Sequence, residues 1–488
     1  MNRTVSRLLV TLMIVGAAAA LRLVRLDNRP MHADEAVLAD KTGTLLETGR
    51  WTYDPHDYHG PVLAYAAAGV ARTAGIAKYA ALSETVLRFV PAAFGILLVV
   101  LALGVGWTAA LFVALSPMLV FYSRYFIPEM LLGAFSMGLL LCIFQCLNRS
   151  GLSWITAAGI CAGLMLATKE TAVLAFAALT AAWFIDKRKL PRPAHLAALA
   201  GICVATLLLS SGVLSDARAV LQSLQRVPGE YAHRAFGDPR HAHPWFFYLS
   251  VLRAELIVLP LVVIGAIASW KSRKLLSVYA ALMMLIYFAL PYKTPWCAAQ
   301  FWFPLLLLAG QGAQWLVEKH RSAVVLIFLV CAYSAWMCWK TSFLKPASPE
   351  NPYAYAQTLP DALEMRDKVI GAAMAAPEGL GIRLQIYSRE NLWPLPWYFR
   401  RLVRQEWWNG VPAQVDPAPI ILVTPDMEPK LAEWLYERRP VGMRELYVNL
   451  FPRARFLRPG VEVRGYVAKS LWDATRPEIW GQSSRFPK

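Results

Sequence analysis

MHADEAVLADKTGTLLETGRWTYDPHDYHGPVLAY, residues 31–65, is a polar stretch in a chain that is otherwise mostly apolar. It concentrates carboxylates and imidazoles, namely Asp34, Glu35, Asp40, Glu47, Asp54, Asp57, His32, His56 and His59. One apolar segment precedes this stretch and many follow it. A polar island between apolar segments predicts that the chemistry of the protein takes place here.

The composition is that of a polytopic membrane protein. Of the 488 residues, 57% are hydrophobic and only 17% are charged, which is more apolar surface than one soluble core can hide. The net charge of +17 does not indicate a nucleic-acid partner, because Lys and Arg fall largely in short loops between apolar runs.

The apolar runs predict about eleven transmembrane helices and a mainly α fold. They lie at 8–24, 86–103, 106–121, 130–147, 154–168, 172–185, 196–214, 245–270, 275–290, 301–317 and 323–339. Basic loops at 186–192, 271–274 and 318–321 fall on one face, which should be cytoplasmic. We therefore expect a multi-pass protein of the inner (plasma) membrane with a cytoplasmic N-terminus and an extracytoplasmic C-terminus.

Two domains are predicted. Residues 1–340 form the transmembrane domain with an outer loop at 27–85, in which the alanine-rich run at 61–82 predicts short interfacial helices. Residues 341–488 form a small extracytoplasmic α/β domain, with short strands at 368–372 and 419–424 and helices at 355–366 and 428–439.

Charged residues gather at the predicted outer ends of the helices. Arg124 and Glu129 lie in YSRYFIPEM, Lys169 and Glu170 in ATKETA, and Lys293 in PYKTPW. Each alone is an ordinary snorkelling or paired charge, but three cations on the face of an acidic loop predict a site. Arg253 and Glu255 are exceptions, because they fall inside an apolar run.

These groups favour glycosyl transfer from a lipid-linked sugar. A carboxylate can take the proton of an attacking hydroxyl or amide, and cations can stabilise a departing phosphate. An oxocarbenium-like carbon would lie between them, as in glycoside chemistry generally. The apolar helices would accommodate the lipid.

Three segments, HADEAVLADKTGTLLETGRWTYDPHDYHGP, YKTPW and WPLPWYFR, carry a family resemblance over nearly the whole chain. With SRYFIPE and ATKETA at outer helix ends, the arrangement resembles GT-C membrane glycosyltransferases, such as protein O-mannosyltransferases and aminoarabinose transferases. It most resembles the bacterial and archaeal subgroup named for flippase activity in archaeal N-glycosylation.

The resemblance implies roles for individual residues. Asp34 would be the general base and Glu35 would orient the site, while Arg124 would bind the donor phosphate. Aminoarabinose transferases carry Lys-Pro-Pro where this chain has His59-Gly60-Pro61, which shifts phosphate binding toward Lys169 and Lys293.

Other side chains would support the site. His56, His59, Glu129 and Glu170 are the candidate supporting residues, and Trp296, Trp393 and Trp397 are candidates for stacking on a sugar. Aromatic rings equally line protein cores, so the tryptophans have both interpretations.

No cofactor is expected. A divalent metal on the loop histidines, including His233, His241 and His243, remains an alternative, but their spacing matches no compact ligand signature. The expected partners are a polyprenyl-phosphate-linked sugar donor, a glycan, lipid or protein acceptor, and membrane lipids, with no nucleic acid. The alternative function is a transporter or accessory protein for flipping lipid-linked sugars, although transporters place charges near the bilayer midplane.

Overall fold

The computed structural model describes residues 3–51, 59–148, 151–189, 191–210, 241–412 and 416–475, with Gly229 and His233. The chain forms two compact units. The first comprises residues 1–28, 41–346 and 350–355, and the second comprises residues 29–40, 347–349 and 356–488.

The first unit is helical. Its helices are α1 (Arg3–Leu23), the end of α2 (Ala33–Thr48), α3 (Val62–Thr73), α4 (Glu84–Ala102), α5 (Trp107–Ala114), α6 (Pro117–Ser123), α7 (Glu129–Asn148), α8 (Leu152–Thr168), α9 (Ala172–Ile185), α10 (Pro193–Ser210), α11 (Phe247–Val251), α12 (Leu259–Ala268), α13 (Trp270–Ala289), α14 (Ala299–Lys319) and α15 (Ala323–Trp339). A π-helical turn, Lys340–Leu344, continues α15.

Six helices of the described residues are long and apolar enough to cross a membrane, and three shorter helices are also apolar. The six are Val5–Leu23, Glu84–Ala102, Glu129–Asn148, Pro193–Ser210, Trp270–Ala289 and Ala323–Leu344. The mainly α, multi-pass architecture is therefore confirmed, whereas the predicted count of eleven spans is not.

Two predicted spans are interrupted. The run at 106–121 divides into α5 and α6, because Pro117 starts a new helix and the Ser116 hydroxyl caps it by accepting the Leu119 N–H at 3.3 Å. The run at 245–270 divides into α11, a 3₁₀ turn at Leu256–Val258, and α12.

Glu255 joins these two interruptions. Its buried carboxylate accepts hydrogen bonds from the Ser116 hydroxyl (2.6 Å) and the Met118 N–H (2.8 Å). The Trp302 indole N–H (2.7 Å) and the Tyr353 hydroxyl (3.0 Å) donate to the same carboxylate. Four donors compensate the loss of water around a buried charge, so this predicted exception is a structural residue.

Glycines allow two helices to touch backbone to backbone. A side chain at Gly265 in α12 would overlap the Leu308 carbonyl of α14, and one at Gly312 in α14 would overlap the Leu261 carbonyl of α12. Small residues at helix crossings provide this close approach inside membranes, where dispersion contacts hold helices together.

The second unit contains a mixed sheet and its helices. The strands are β1 (Arg383–Tyr387), β2 (Arg404–Trp408), β3 (Ile420–Val423), β4 (Tyr447–Asn449), β5 (Arg455–Arg458) and β6 (Val461–Ala468), and the helices are α16 (Asp361–Ala375), α17 (Leu395–Phe399), α18 (Glu428–Tyr436) and α19 (Lys469–Ala474). The order is β2-β1-β3-β6-β4, with β5 also paired to β6. β1 runs parallel to β2 and β3, and β6 runs antiparallel to its three neighbours.

The predicted strand at 419–424 and the helix starting at residue 428 are confirmed by β3 and α18. The predicted strand at 368–372 is wrong, because these residues continue α16. The buried positions Ala362, Met365, Val369 and Ala372 recur every three or four residues, which is the spacing of a helix face. That longer pattern outweighs the local β-branched preference.

Candidate active site

The polar stretch begins at a capped helix terminus. His32 is the N-cap of α2, with its Nδ1 accepting the Asp34 N–H at 3.2 Å, and the Glu35 carboxylate accepts the His32 N–H at 2.8 Å. This reciprocal arrangement is a capping box, in which the third helical residue satisfies the N-cap backbone.

The Glu35 carboxylate is hydrogen-bonded within the second unit. The Arg29 guanidinium donates to both of its carboxylate oxygens, at 2.8 and 3.0 Å, and both side chains are buried. A bidentate buried pair of this kind fixes backbone geometry. Glu35 therefore orients the start of α2, while its carboxylate has no exposed oxygen for substrate.

Asp34, one residue earlier, has the opposite environment. Its side chain is 53% exposed, and its Oδ2 lies 3.9 Å from His32 Nδ1. Among the residues that the structure describes, no donor makes a hydrogen bond to the Asp34 carboxylate. The positive end of the α2 dipole stabilises negative charge at this position.

Arg458, at the end of β5, is a cation near Asp34 that the sequence did not single out. Burial lowers the pKa of Arg458, and the negative charges of Glu390 and Asp34 partly restore it. Its guanidinium donates to the carbonyls of Trp393 (3.3 Å) and Asn391. One arginine among many in the tail carries no sequence signal, so only the fold places it near the carboxylate.

The two tryptophans of WPLPWYFR differ in access. Trp397 is fully buried, with the Arg400 guanidinium 3.6 Å from its ring centroid. Trp393 is only partly buried. In this segment the sugar-stacking interpretation therefore rests on Trp393.

In the first unit, Lys169 and Glu129 form a buried ion pair. Lys169 Nζ donates to Glu129 Oε1, and both side chains are at least 93% buried. The Gln300 amide donates to the Glu129 carbonyl at 3.0 Å. Within the described residues the second Glu129 oxygen, Oε2, has no hydrogen-bond partner. The pair neutralises the Lys169 charge that the sequence assigned to a donor phosphate.

His59 lies beside the end of α8. Its Nδ1 is 3.2 Å from Glu170 Oε2, and the following Gly60 N–H donates to the Thr168 carbonyl at 3.2 Å. His59 has φ of 127°, a strained backbone conformation for a residue other than glycine. The predicted supporting residue His56 lies outside the described residues.

Lys293 lies in a cluster of imidazoles and aromatic rings. Its Nζ donates to the carbonyls of His243 (3.3 Å) and Leu290, and its backbone N–H donates to the His241 carbonyl (2.9 Å). Tyr355 joins the two histidines, because its hydroxyl is 3.0 Å from His241 Nδ1 and 3.0 Å from His243 Nε2.

The surroundings in this cluster lower the pKa values of two groups, Lys293 and His243. Burial lowers the pKa of Lys293. The pKa of His243 is lowered by burial, then by His241 and by Lys293. In the described part of the chain Lys293 forms no ion pair with a carboxylate, so its ammonium is not neutralised. Trp296 is half-buried here, with its ring centroid 5.9 Å from that of Tyr355.

Arg124 caps the end of α1. Its guanidinium donates to the carbonyls of Val24 (2.7 Å) and Arg25 (2.6 Å) and to the Asn28 side chain (3.2 Å). Cations at helix C-termini satisfy carbonyls that lack intrahelical partners. Arg22 does the same for the end of α5, where it donates to Ala114 O at 3.0 Å.

No group of three or more His, Cys, Asp or Glu side chains in the described ranges could hold a metal ion. His241 and His243 instead share the hydroxyl of Tyr355.

No protein-family profile and no curated protein sequence matches the chain. The solved structures similar to it include two of an aminoarabinose transferase and one of an oligosaccharyltransferase. The aminoarabinose transferase ArnT from Cupriavidus metallidurans in the apo state has a TM-score of 0.64 at 13% identity, over 93% of this chain and 97% of ArnT. ArnT bound to undecaprenyl phosphate gives 0.63 at 12%, over the same shares. The Archaeoglobus fulgidus oligosaccharyltransferase in complex with Zn and sulfate gives 0.52 at 12%, over 96% of this chain and 76% of that chain.

Likeness at this level of identity concerns the fold. It confirms the predicted resemblance to aminoarabinose transferases at the level of the fold. The chain is a multi-pass membrane protein whose fold is similar to that of ArnT and of the archaeal oligosaccharyltransferase.

Proposed function

We propose that the protein transfers a sugar from a polyprenyl-phosphate donor to an acceptor on the extracytoplasmic side of the membrane, with Asp34 as the general base. The observation that carries this proposal is the contrast between two adjacent carboxylates. Glu35 is buried and fully hydrogen-bonded, whereas Asp34 is exposed and accepts no hydrogen bond from the described residues. The likeness to ArnT, which has been solved with undecaprenyl phosphate, supports the class of donor.

In the proposed step, Asp34 takes the proton of the acceptor hydroxyl or amide as that group attacks the anomeric carbon. The bond from this carbon to the phosphate oxygen breaks, and its electron pair leaves with the polyprenyl phosphate. The products are the glycosylated acceptor, the polyprenyl phosphate and a protonated Asp34. A general base of this kind typically contributes about 10²- to 10⁴-fold to a rate.

Lys293 is the cation best suited to the donor phosphate. Lys169 is neutralised by Glu129, whereas Lys293 has no carboxylate partner among the described residues. Its positive charge would offset the charge that develops on the leaving phosphate. Burial, then His241 and Lys293, lower the pKa of His243, which disfavours a positive charge on that imidazole.

One variant, with a matched control, tests the role of the base. Asp34→Asn should leave expression and the binding of undecaprenyl phosphate intact but lower sugar transfer about 10²-fold or more. Asp27→Asn is the matched control, because Asp27 is another exposed carboxylate of the same region. The assay uses the polyprenyl-phosphate-linked sugars of the host membrane as donors. Mass analysis of the products measures the sugar transfer. Full transfer by Asp34→Asn would exclude the proposed base.

A further inference from the structure

A cavity of about 510 Å³ opens in the first unit, at the end of the span formed by Ala323–Leu344. Its wall includes the end of α15, the π-helical turn that follows, and the segment at 350–352. Arg253 and Ala254, between α11 and α12, complete the lining. None of the residues assigned above to catalysis or to the donor phosphate lines this cavity.

The wall is held in place by hydrogen bonds. The buried Asn351 side chain donates to the carbonyls of Thr341 (2.9 Å) and Lys345 (3.0 Å), which belong to the π-helical turn and its C-cap. Arg253 donates to the Glu350 carbonyl at 2.9 Å. Single π-helical turns are frequent at functional sites, and here two hydrogen bonds from Asn351 hold the turn in place.

The lining carries an excess of positive charge. Arg253, Lys340 and Lys345 are cations and Glu350 is the one carboxylate, so three charges less one leave a net of two positive charges. Lys345 pairs with Glu350 at 2.6 Å, and hydrogen bonding from Lys345 lowers the pKa of Glu350. Arg253 and Lys340 form no ion pair with a carboxylate of the described residues. Lys340 also interacts electrostatically with Glu350, so it is the net of two positive charges on the whole lining that remains to attract an anion.

The same wall presents aromatic side chains. Trp336 and Tyr333 precede Lys340 by about one and two helical turns in the apolar span, and they are 55% and 38% exposed. Tyrosine and tryptophan favour the boundary between headgroups and acyl chains, where cations also attract anionic lipids. A free anion would contact the cations alone, whereas a lipid would contact both the cations and the aromatic side chains.

We propose that this cavity binds the phosphate headgroup of an anionic membrane lipid. Arg253 and Lys340 contact the phosphate, and the lipid chain lies against Tyr333 and Trp336. The inference goes beyond the proposed glycosyl transfer and does not depend on it, since it involves neither the donor residues nor Asp34.

Fluorescence quenching tests the proposal on the full-length protein in phosphatidylcholine nanodiscs. Brominated phosphatidylglycerol should quench tryptophan fluorescence at a lower mole fraction than brominated phosphatidylcholine, and Trp336→Phe should remove this difference. Arg253→Gln and Lys340→Gln should each weaken the preference about fivefold, and the double variant about 25-fold. Lys319→Gln, at an exposed lysine in the last turn of α14, is the matched control and should leave it unchanged.

Three outcomes would overturn the proposal. The first is equal quenching by the two brominated lipids, which would make the cavity a general lipid surface. The second is a phosphatidylglycerol preference that survives in the double variant. Inorganic phosphate at millimolar concentration should compete only weakly, and complete displacement by it would assign the cavity to a free anion instead. None of these quenching measurements requires sugar transfer. The lipid preference can therefore be determined even if the proposed enzymatic function is wrong.

Discussion

Neutralising the adjacent carboxylates Asp34 and Glu35 should have opposite consequences. The Glu35 carboxylate is fully buried and accepts two hydrogen bonds from Arg29 and one from the His32 N–H, at 2.8 to 3.0 Å. Glu35→Gln removes its negative charge. Breaking a buried pair leaves an uncompensated charge and typically costs about 3 to 5 kcal/mol. Glutamine keeps one acceptor oxygen, so we expect a loss near the lower end, about 3 kcal/mol.

Asp34→Asn should leave the folded state almost unchanged. The exposed carboxylate accepts no hydrogen bond in the described structure, so only its interaction with the α2 dipole is lost, about 0.3 to 1 kcal/mol. Transfer activity should nevertheless fall about 10²- to 10⁴-fold, since the base is gone.

The assay compares thermal unfolding midpoints of purified, detergent-solubilised variants with their transfer rates. Glu35→Gln should show a lowered midpoint, with activity falling in proportion to the unfolded fraction. Asp34→Asn should show an unchanged midpoint and lost activity. A stable, inactive Glu35→Gln together with an active Asp34→Asn would refute the reasoning, because it would reverse the two roles.

The buried pair, the donor cation and the imidazole cluster each carry a further prediction. Glu129→Gln or Lys169→Met alone should destabilise the protein by about 3 to 5 kcal/mol, and the double variant should recover most of that loss in the same unfolding assay. Lys293→Ala should weaken undecaprenyl phosphate binding about tenfold or more by thermophoresis, since a charge-assisted hydrogen bond is lost; unchanged affinity would remove it from the donor site. The His243 pKa is lowered in the folded state, so its contribution to stability is present above its ordinary value of 6.5 and is lost as pH falls below it. His243→Gln should therefore reduce the drop in unfolding midpoint between pH 7.5 and pH 5, and an identical drop in both proteins would contradict this assignment.

The interrupted spans show where sequence reasoning about the fold fails. An 18-residue hydropathy window averages over Ser116-Pro117 and over Arg253 to Glu255, so each run resembles one helix. The break becomes stable only because Glu255 satisfies donors from both sides of the α5–α6 junction. That contact joins residues more than 130 positions apart, and no local pattern contains it.

The amino-acid sequence by itself determined the class of protein, the presence of a small α/β domain, and the stretch in which a base should be sought. These follow from hydrophobicity and from the clustering of carboxylates, which are local properties of the chain. Only the tertiary structure decided which charged side chains are paired with other groups of the protein and which are exposed. It paired Glu35 with Arg29 and Lys169 with Glu129, turned Arg124 into a helix cap, and left Asp34 exposed. The physical reason is that burial and long-range pairing set the free energy of a charge, and both exist only after the helices have packed.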